Sequence, residues 1–392
     1  MAIYIIIFLA AVVWYYMDSS KPQRTNAKEL TLGLMVFMTF LALFVAFADM
    51  LGGFDRYIYG QLFDDLADQI TVGDYNLSNS DVAEQYYHEY GYQIYNFIIA
   101  LITENRYTFI IITTFIIYIL LFKSIKKYCS NYPIAVILFL GLWFFFTFTY
   151  LRQVIGATIA WLSIQYIIKR DLKKFLLVCL IAVSFHNSAI IFIPLYWLPI
   201  RKFNKRNVII IMIIALAMGA TGVSSALFNA YGEVDEERAS IANDEAGFRV
   251  AYLIEAILFL YIILKKYKDI PNKPINIIML NMALIFCGIL LFFIRNANAG
   301  RLSWYYMIGL ISTITYVCTY SKAKNLTITM MVLSFILYYR ILATWGIMLY
   351  PYKSIFTNGT RENDPIEMEF EYDHNYNNDK FYRPTFRFLE KR

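Results

Sequence analysis

Arg152 and Gln153 interrupt the apolar run WFFFTFTYLRQVIGATIAWLSIQYIIKR, and Phe185-His186-Asn187-Ser188 interrupts the next one. A guanidinium is a planar, permanently charged fork of donors that grips phosphate oxygens in pairs. An imidazole near pH 7 can take up or donate a proton. In GRLSWYYMIGL, Arg301 and Tyr305 stand at i and i+4, which on an α-helix puts them on one face. Glu255 lies six residues beyond Arg249, inside an apolar stretch where an acid is costly. Together these types suit the binding of a phosphorylated ligand beside a group that moves a proton.

The elements that must hold these residues are hydrophobic. Of 392 residues, 59% are hydrophobic and 16% charged, against roughly half and a quarter in a soluble domain. Apolar runs recur from end to end, among them Ile3–Tyr16, Leu32–Ala48, Tyr107–Phe122 and Pro133–Thr149. Each can cross a hydrocarbon core of about 30 Å as a helix. The expected fold is all-α and polytopic, with about twelve transmembrane helices. The first run has neither a basic leader nor a small-residue cleavage site and reads as a helix. Tyr92–Ile102 is too short to cross and is expected in the interface or as a re-entrant piece. The four cysteines (129, 179, 287 and 318) show no paired or metal-like spacing.

Charge sets the orientation. Segments 18–29, 123–132, 169–174, 201–206, 265–273 and 321–324 hold twenty basic residues against four acids, and basic loops stay in the cytoplasm. Both termini are therefore expected outside. Arg152 then ends one span (133–149) and begins the next (153–168) at the outer surface. The expected division is a transmembrane domain over 1–345, with outer loops at about 51–93 and 224–249, and a polar outer tail over 346–392. The net charge of +6 follows this membrane asymmetry and implies no nucleic-acid partner.

Before the tail, the outer-side bases are Arg56, Arg106, Arg152, Arg238, Arg249, Arg295 and Arg301, with Arg340 near the outer end of the last helix; none is lysine. Positive-inside pressure explains their small number but not their identity, whereas phosphate binding explains both. The ordinary alternative is helix-end anchoring by long side chains. Loop 51–93 is acidic and tyrosine-rich, which suits sugar rings: aromatic faces pack on C–H groups and carboxylates accept hydroxyl protons. The tail's terminal RPTFRFLEKR is basic and could fold back onto lipid headgroups or carry a partner contact.

Several of these stretches together resemble the EpsG family. Arg152-Gln153, the basic turn KRDLKKF and Phe185-His186-Asn187-Ser188 carry the likeness. FDRYIYGQLFDD with Asp55 and Tyr59, EYGYQIYNF with Glu89, and GRLSWYYMIGL extend it across roughly 1–345. The resemblance implies a Wzy-like, GT-C-like polymerase of polyprenyl-diphosphate-linked oligosaccharides in a bacterial inner membrane. Its product would be an O-antigen, capsule or exopolysaccharide, built on the outer face. Its partners would be the lipid-linked donor and acceptor, membrane lipid, a chain-length regulator and a flippase. No cofactor or metal is expected.

On that reading Arg152, Arg301, Arg295 and Arg249 are candidates for a diphosphate clamp. His186, Asp55 and Glu89 are candidates for proton transfer. Gln153, Tyr305, Tyr59 and Glu255 would contact glycan or support the others. The bland alternatives are interfacial anchoring for the arginines, a capping hydrogen bond for His186, loop solvation for Asp55 and Glu89, and an Arg340 ion pair for Glu255. His88 and His374 read as solvated. A flippase for the same substrate, an O-antigen-ligase-type transferase and a non-catalytic scaffold are the competing functions. A flippase needs charge reachable from both faces, whereas here the polar candidates gather at one.

Overall fold

The computed structural model describes residues 1–19, 27–53, 55–224, 247–296, 300–320, 324–357, 380–381 and 383–387. Arg238, His374 and most of the loop at 224–249 and of the tail lie outside them. Among the described residues the chain is helical, and a single antiparallel bridge, Ala48 with Ser354, stands in place of any sheet. All four cysteines are buried and free.

Among the described residues six helices are long and apolar enough to cross a membrane: Ala2–Ser19, Lys28–Ala46, Arg106–Tyr128, Leu151–Ile168, Pro274–Phe292 and Asn325–Thr344. This is the build of a multi-pass membrane protein. Six rather than about twelve helices reach that length, because several expected spans are broken or short. The span expected over 133–149 is helical over Tyr132–Leu142, turns at Trp143, and resumes over Phe146–Thr149. The runs flanking His186 form a 14-residue α-helix, Leu172–Phe185, and a 3-10 helix, Asn187–Tyr196. Fourteen residues make roughly 21 Å of α-helix. Lys205–Ala220, Val250–Lys265 and Met307–Tyr320 are also shorter than a full crossing.

Local chemistry sets the helix starts. Asn105, Asn131, Asp171 and Asn204 each accept a backbone N–H from the first turn of the helix they precede, filling donors that a helix start leaves open. Every residue from Pro133 to Leu142 is buried, as expected of a helix that is apolar all round. It packs against Ala2–Ser19, Lys324–Thr344 and Met307–Tyr320, so it sits at the centre.

The acidic loop 51–93 is folded. It contains the helices Arg56–Thr71 and Asp81–Gln85 and leads into Tyr90–Ala100. The last of these covers the stretch expected to be too short to cross. Its Gln93, Asn96 and Ala100 are buried, whereas Ile94 and Ile98 are exposed, which suits a helix lying along an interface.

Candidate functional site

Tyr150 breaks the helical path with φ −91° and ψ 54°, and the Leu151–Leu162 helix starts behind it. Arg152 therefore stands in a first turn, where unpaired N–H groups and the helix dipole favour an anion. Its guanidinium lies over the Tyr86 ring, 3.9 Å from the centroid, with Tyr59 and Tyr92 just beyond. One Nη is paired with Glu89. The Nε is buried and has no hydrogen-bond partner. Arg56 Nε and Arg106 Nη1 are in the same state; what sets Arg152 apart is that its side chain remains 13% exposed while Glu89 is 1% exposed.

Glu89 precedes the Tyr90–Ala100 helix and follows His88, whose φ of 70° is unusual for a side-chain-bearing residue. That backbone turn feeds the Glu89 carboxylate inward. One oxygen takes Arg152, and the other accepts the Asn187 N–H at 3.2 Å. Burial alone would raise its pKa. His186 and Arg152, with these hydrogen bonds, outweigh burial and hold the carboxyl below its ordinary value.

His186 ends the Leu172–Phe185 helix in an extended conformation. Its Nδ1 accepts the Ser188 N–H at 3.3 Å and lies 2.8 Å from the Ser188 hydroxyl, which in turn lies 2.9 Å from the Tyr305 hydroxyl. With Nδ1 accepting, the neutral ring carries its proton on Nε2. The nearest carboxylate to Nδ1 is Glu89, 3.9 Å away and beyond hydrogen-bond distance. Gly156 makes this crossing tight: a Cβ there would stand 3.3 Å from both the Ala182 carbonyl and the His186 Cβ.

Arg301 completes the cluster from the other side. Its guanidinium lies 4.3 Å from the centroid of the Tyr150 ring, and its carbonyl accepts from Gln153 at 3.1 Å. Asp55 precedes the Arg56–Thr71 helix without capping it, and its N–H donates to Thr149 at 2.8 Å. Burial raises the Asp55 pKa above its ordinary value, against the opposing charges of Arg301 and Arg152. Burial likewise pushes the Tyr59 phenol up to about 12, despite Arg152.

Asp55, Tyr59, Glu89, Arg152, Gln153, His186, Arg301 and Tyr305 thus form one neighbourhood. The expected shared face of Arg301 and Tyr305 does not exist. Arg301–Tyr306 is a 3-10 helix, in which i and i+3 eclipse and i+4 points elsewhere. Arg301 turns to Tyr150, and Tyr305 turns to Ser188. Arg295, Arg249 and Glu255 make their contacts elsewhere. Arg295 is exposed and donates to the Ala220 carbonyl, and the backbone of Arg249, by its N–H, is held to the Ile294 carbonyl. Glu255 has Arg340 as its charged neighbour. Sequence reasoning missed Tyr86 and Tyr150 as the platforms under the two arginines; the tyrosine-rich outer loop was the available signal for Tyr86. Among the described residues no group of three or more His, Cys, Asp or Glu side chains could hold a metal ion.

Two other outer arginines are internal. Arg56 is fully buried and donates to the Ala46 and Ala48 carbonyls at 3.0 and 2.8 Å, closing the end of the Ala27–Ala46 helix. Arg106 is buried against Asp64, with Nε donating at 2.6 Å. The tail also returns to protein. Arg383 grips Asp68 with two hydrogen bonds of 2.7 and 2.8 Å, and Arg387 pairs with Glu104 and donates to the Ala67 and Ala100 carbonyls. These arginines fold onto acids and carbonyls of the Arg56–Thr71 and Tyr90–Ala100 helices and of the turn that follows.

No curated protein and no solved structure matches the chain. The sequence model of the EpsG family matches residues 30–354, a span that contains every residue of the cluster. The chain belongs to the EpsG family.

Proposed function

We propose that this protein is a polymerase that joins polyprenyl-diphosphate-linked oligosaccharide units into a surface polysaccharide on the outer face of the bacterial inner membrane. EpsG membership supports the polysaccharide-polymerase class. The observation that carries the residue roles is Arg152: a buried guanidinium in a helix's first turn, with Nε unpartnered beside Glu89 and Asp55. The six shorter apolar helices, added to the six long ones, would give twelve crossings in a GT-C-like architecture with both termini outside. The residues expected outside do come together, as do the basic segments expected inside.

In the proposed reaction Arg152 and Arg301 hold the donor's diphosphate. The acceptor sugar's hydroxyl oxygen attacks the donor's anomeric carbon. The new C–O bond forms as the bond to the diphosphate oxygen breaks, and the polyprenyl diphosphate leaves with the electron pair. Asp55 takes the hydroxyl proton. Its raised pKa suits that exchange better than Glu89, whose charge is committed to Arg152. His186 donates from Nε2 to the departing phosphate, and the tyrosines bear on the sugars. Positioned donors of this kind act most strongly where water is thin.

The test is a gel of lipid-linked and surface glycan from cells lacking the protein, beside cells carrying Arg152→Ala. The expected result is single units at the outer surface and no ladder of longer chains in either. Units trapped on the cytoplasmic side would replace this reading with a flippase. Long chains left on the prenyl carrier would replace it with a ligase.

A further inference from the structure

Away from the Arg152 cluster the protein has a cavity of about 390 Å³, lined by parts of two basic segments expected in the cytoplasm, 123–132 and 265–273, and by the Met307–Tyr320 helix. Lys127 and Ser130 reach it from the end of Arg106–Tyr128, Lys273 and Asn276 from the start of Pro274–Phe292, and Thr313 and Tyr316 from Met307–Tyr320. No carboxylate lines it.

Three independent features select for an anion. Lys127 and Lys273 line the cavity, the Lys127 ammonium also donating to Gln165 at 3.0 Å, and no acid is among the described lining residues. The 19-residue helix Pro274–Phe292 presents its N-terminal turn there, adding partial positive charge and open N–H groups. Thr313 is 3% exposed, and its Oγ1 is buried without a hydrogen-bond partner, a donor whose desolvation is uncompensated until something accepts from it. Neighbouring Ser312 shows the contrast, because its hydroxyl is already bonded to the Tyr128 carbonyl. Ordinary positive-inside charge would account for the lysines but not for a buried open hydroxyl between them.

We infer that this cavity binds a phosphate group carried by an anionic ligand on the cytoplasmic face. Lys127 and Lys273 would supply charge, and Thr313, the helix start and Tyr316 would donate to its oxygens. The group could arrive on a phospholipid headgroup of the inner leaflet, as basic pockets between membrane helices accept, or on a free phosphate compound. The inference does not depend on the chemistry at the outer face, so either can fail alone.

The experiment uses the full chain in phosphatidylcholine nanodiscs, with and without phosphatidylglycerol. Retained lipid is read by native mass spectrometry, and melting is followed with added inorganic pyrophosphate. Wild type should retain phosphatidylglycerol. The Lys127→Gln/Lys273→Gln pair should weaken retention about thirtyfold, at roughly fivefold per lysine, and Thr313→Val about tenfold. Pyrophosphate stabilisation in phosphatidylcholine alone, lost in the same variants, would support the site and assign the free ligand as its source. Should the lysine pair fail to fold, Thr313→Val, which keeps the shape of the side chain, carries the test alone. Wild-type binding of both probes by Thr313→Val, or binding of neither probe by wild type, would overturn the inference.

Discussion

Arg106–Asp64 and Arg152–Glu89 are two buried ion pairs at the same end of the molecule, and they differ in how far solvent reaches the arginine. Arg106 and Asp64 are 2% and 3% exposed and lock the Arg56–Thr71 helix to the first turn of Arg106–Tyr128. Gly60 makes room for that lock, since a Cβ there would stand 3.0 Å from the Arg106 side chain. Arg152 is more exposed, is cushioned on Tyr86, and keeps an unpartnered Nε. The arginines expected outside are therefore used in two ways. Arg56 and Arg106, almost fully enclosed by protein, hold helices together. Arg152, with its side chain 13% exposed, is the one a ligand can approach.

The sharpest way to break this comparison is Asp64→Ala. It leaves Arg106 buried without its carboxylate and should cost about 3–5 kcal/mol, read as loss of folded protein in the membrane. Normal amounts and normal melting would show that the pair is not the lock described.

Arg152→Lys should do the reverse, leaving protein levels intact while cutting polymer formation about a hundredfold, because an ammonium cannot reproduce the fork. Full activity of the lysine variant would remove the diphosphate role.

A smaller effect concerns pH. Burial raises the Asp55 pKa, so its base form appears at higher pH than that of an ordinary aspartate, and activity should climb with pH through that raised value. The stability gained by burying its neutral form is lost over the same rise. Glu89 is the opposite case: its pKa is depressed, so its stabilising charge is fully present above the ordinary value of 4.5 and is lost as pH falls below that. Initial rates followed from the acid side upward should therefore show an acid limb, displaced upward from that of an ordinary aspartate, that Asp55→Asn abolishes, along with roughly 10–100-fold of the rate. A limb that persists in Asp55→Asn would move the base elsewhere.

The smallest effect belongs to the tail. Arg387→Ala removes a partly exposed ion pair and two carbonyl contacts, and should lower stability by about 1 kcal/mol with little change in turnover. Melting beside a turnover assay separates the two. A large loss of turnover at unchanged melting would make the tail part of the working site.

The apolar periodicity made the membrane helices legible, and the basic clusters made legible which residues would share an end. Arg152, His186 and Arg301 stood out because a polar side chain in greasy sequence is expensive and needs a reason. Arg295, Arg249 and Glu255 stood out for the same reason and make their contacts elsewhere, since cost alone does not say which neighbour relieves it.

The sequence by itself determined an all-helical, membrane-type chain of the EpsG family, because composition and hydrophobic patterning are local properties. Only the tertiary structure decided that Glu89 meets Arg152 across 63 positions, that Tyr86 lies under that guanidinium, and that Arg56 and Arg106 are internal. Those choices depend on which helices pack together, and the energy of a buried charge is set by the partners that packing brings within reach.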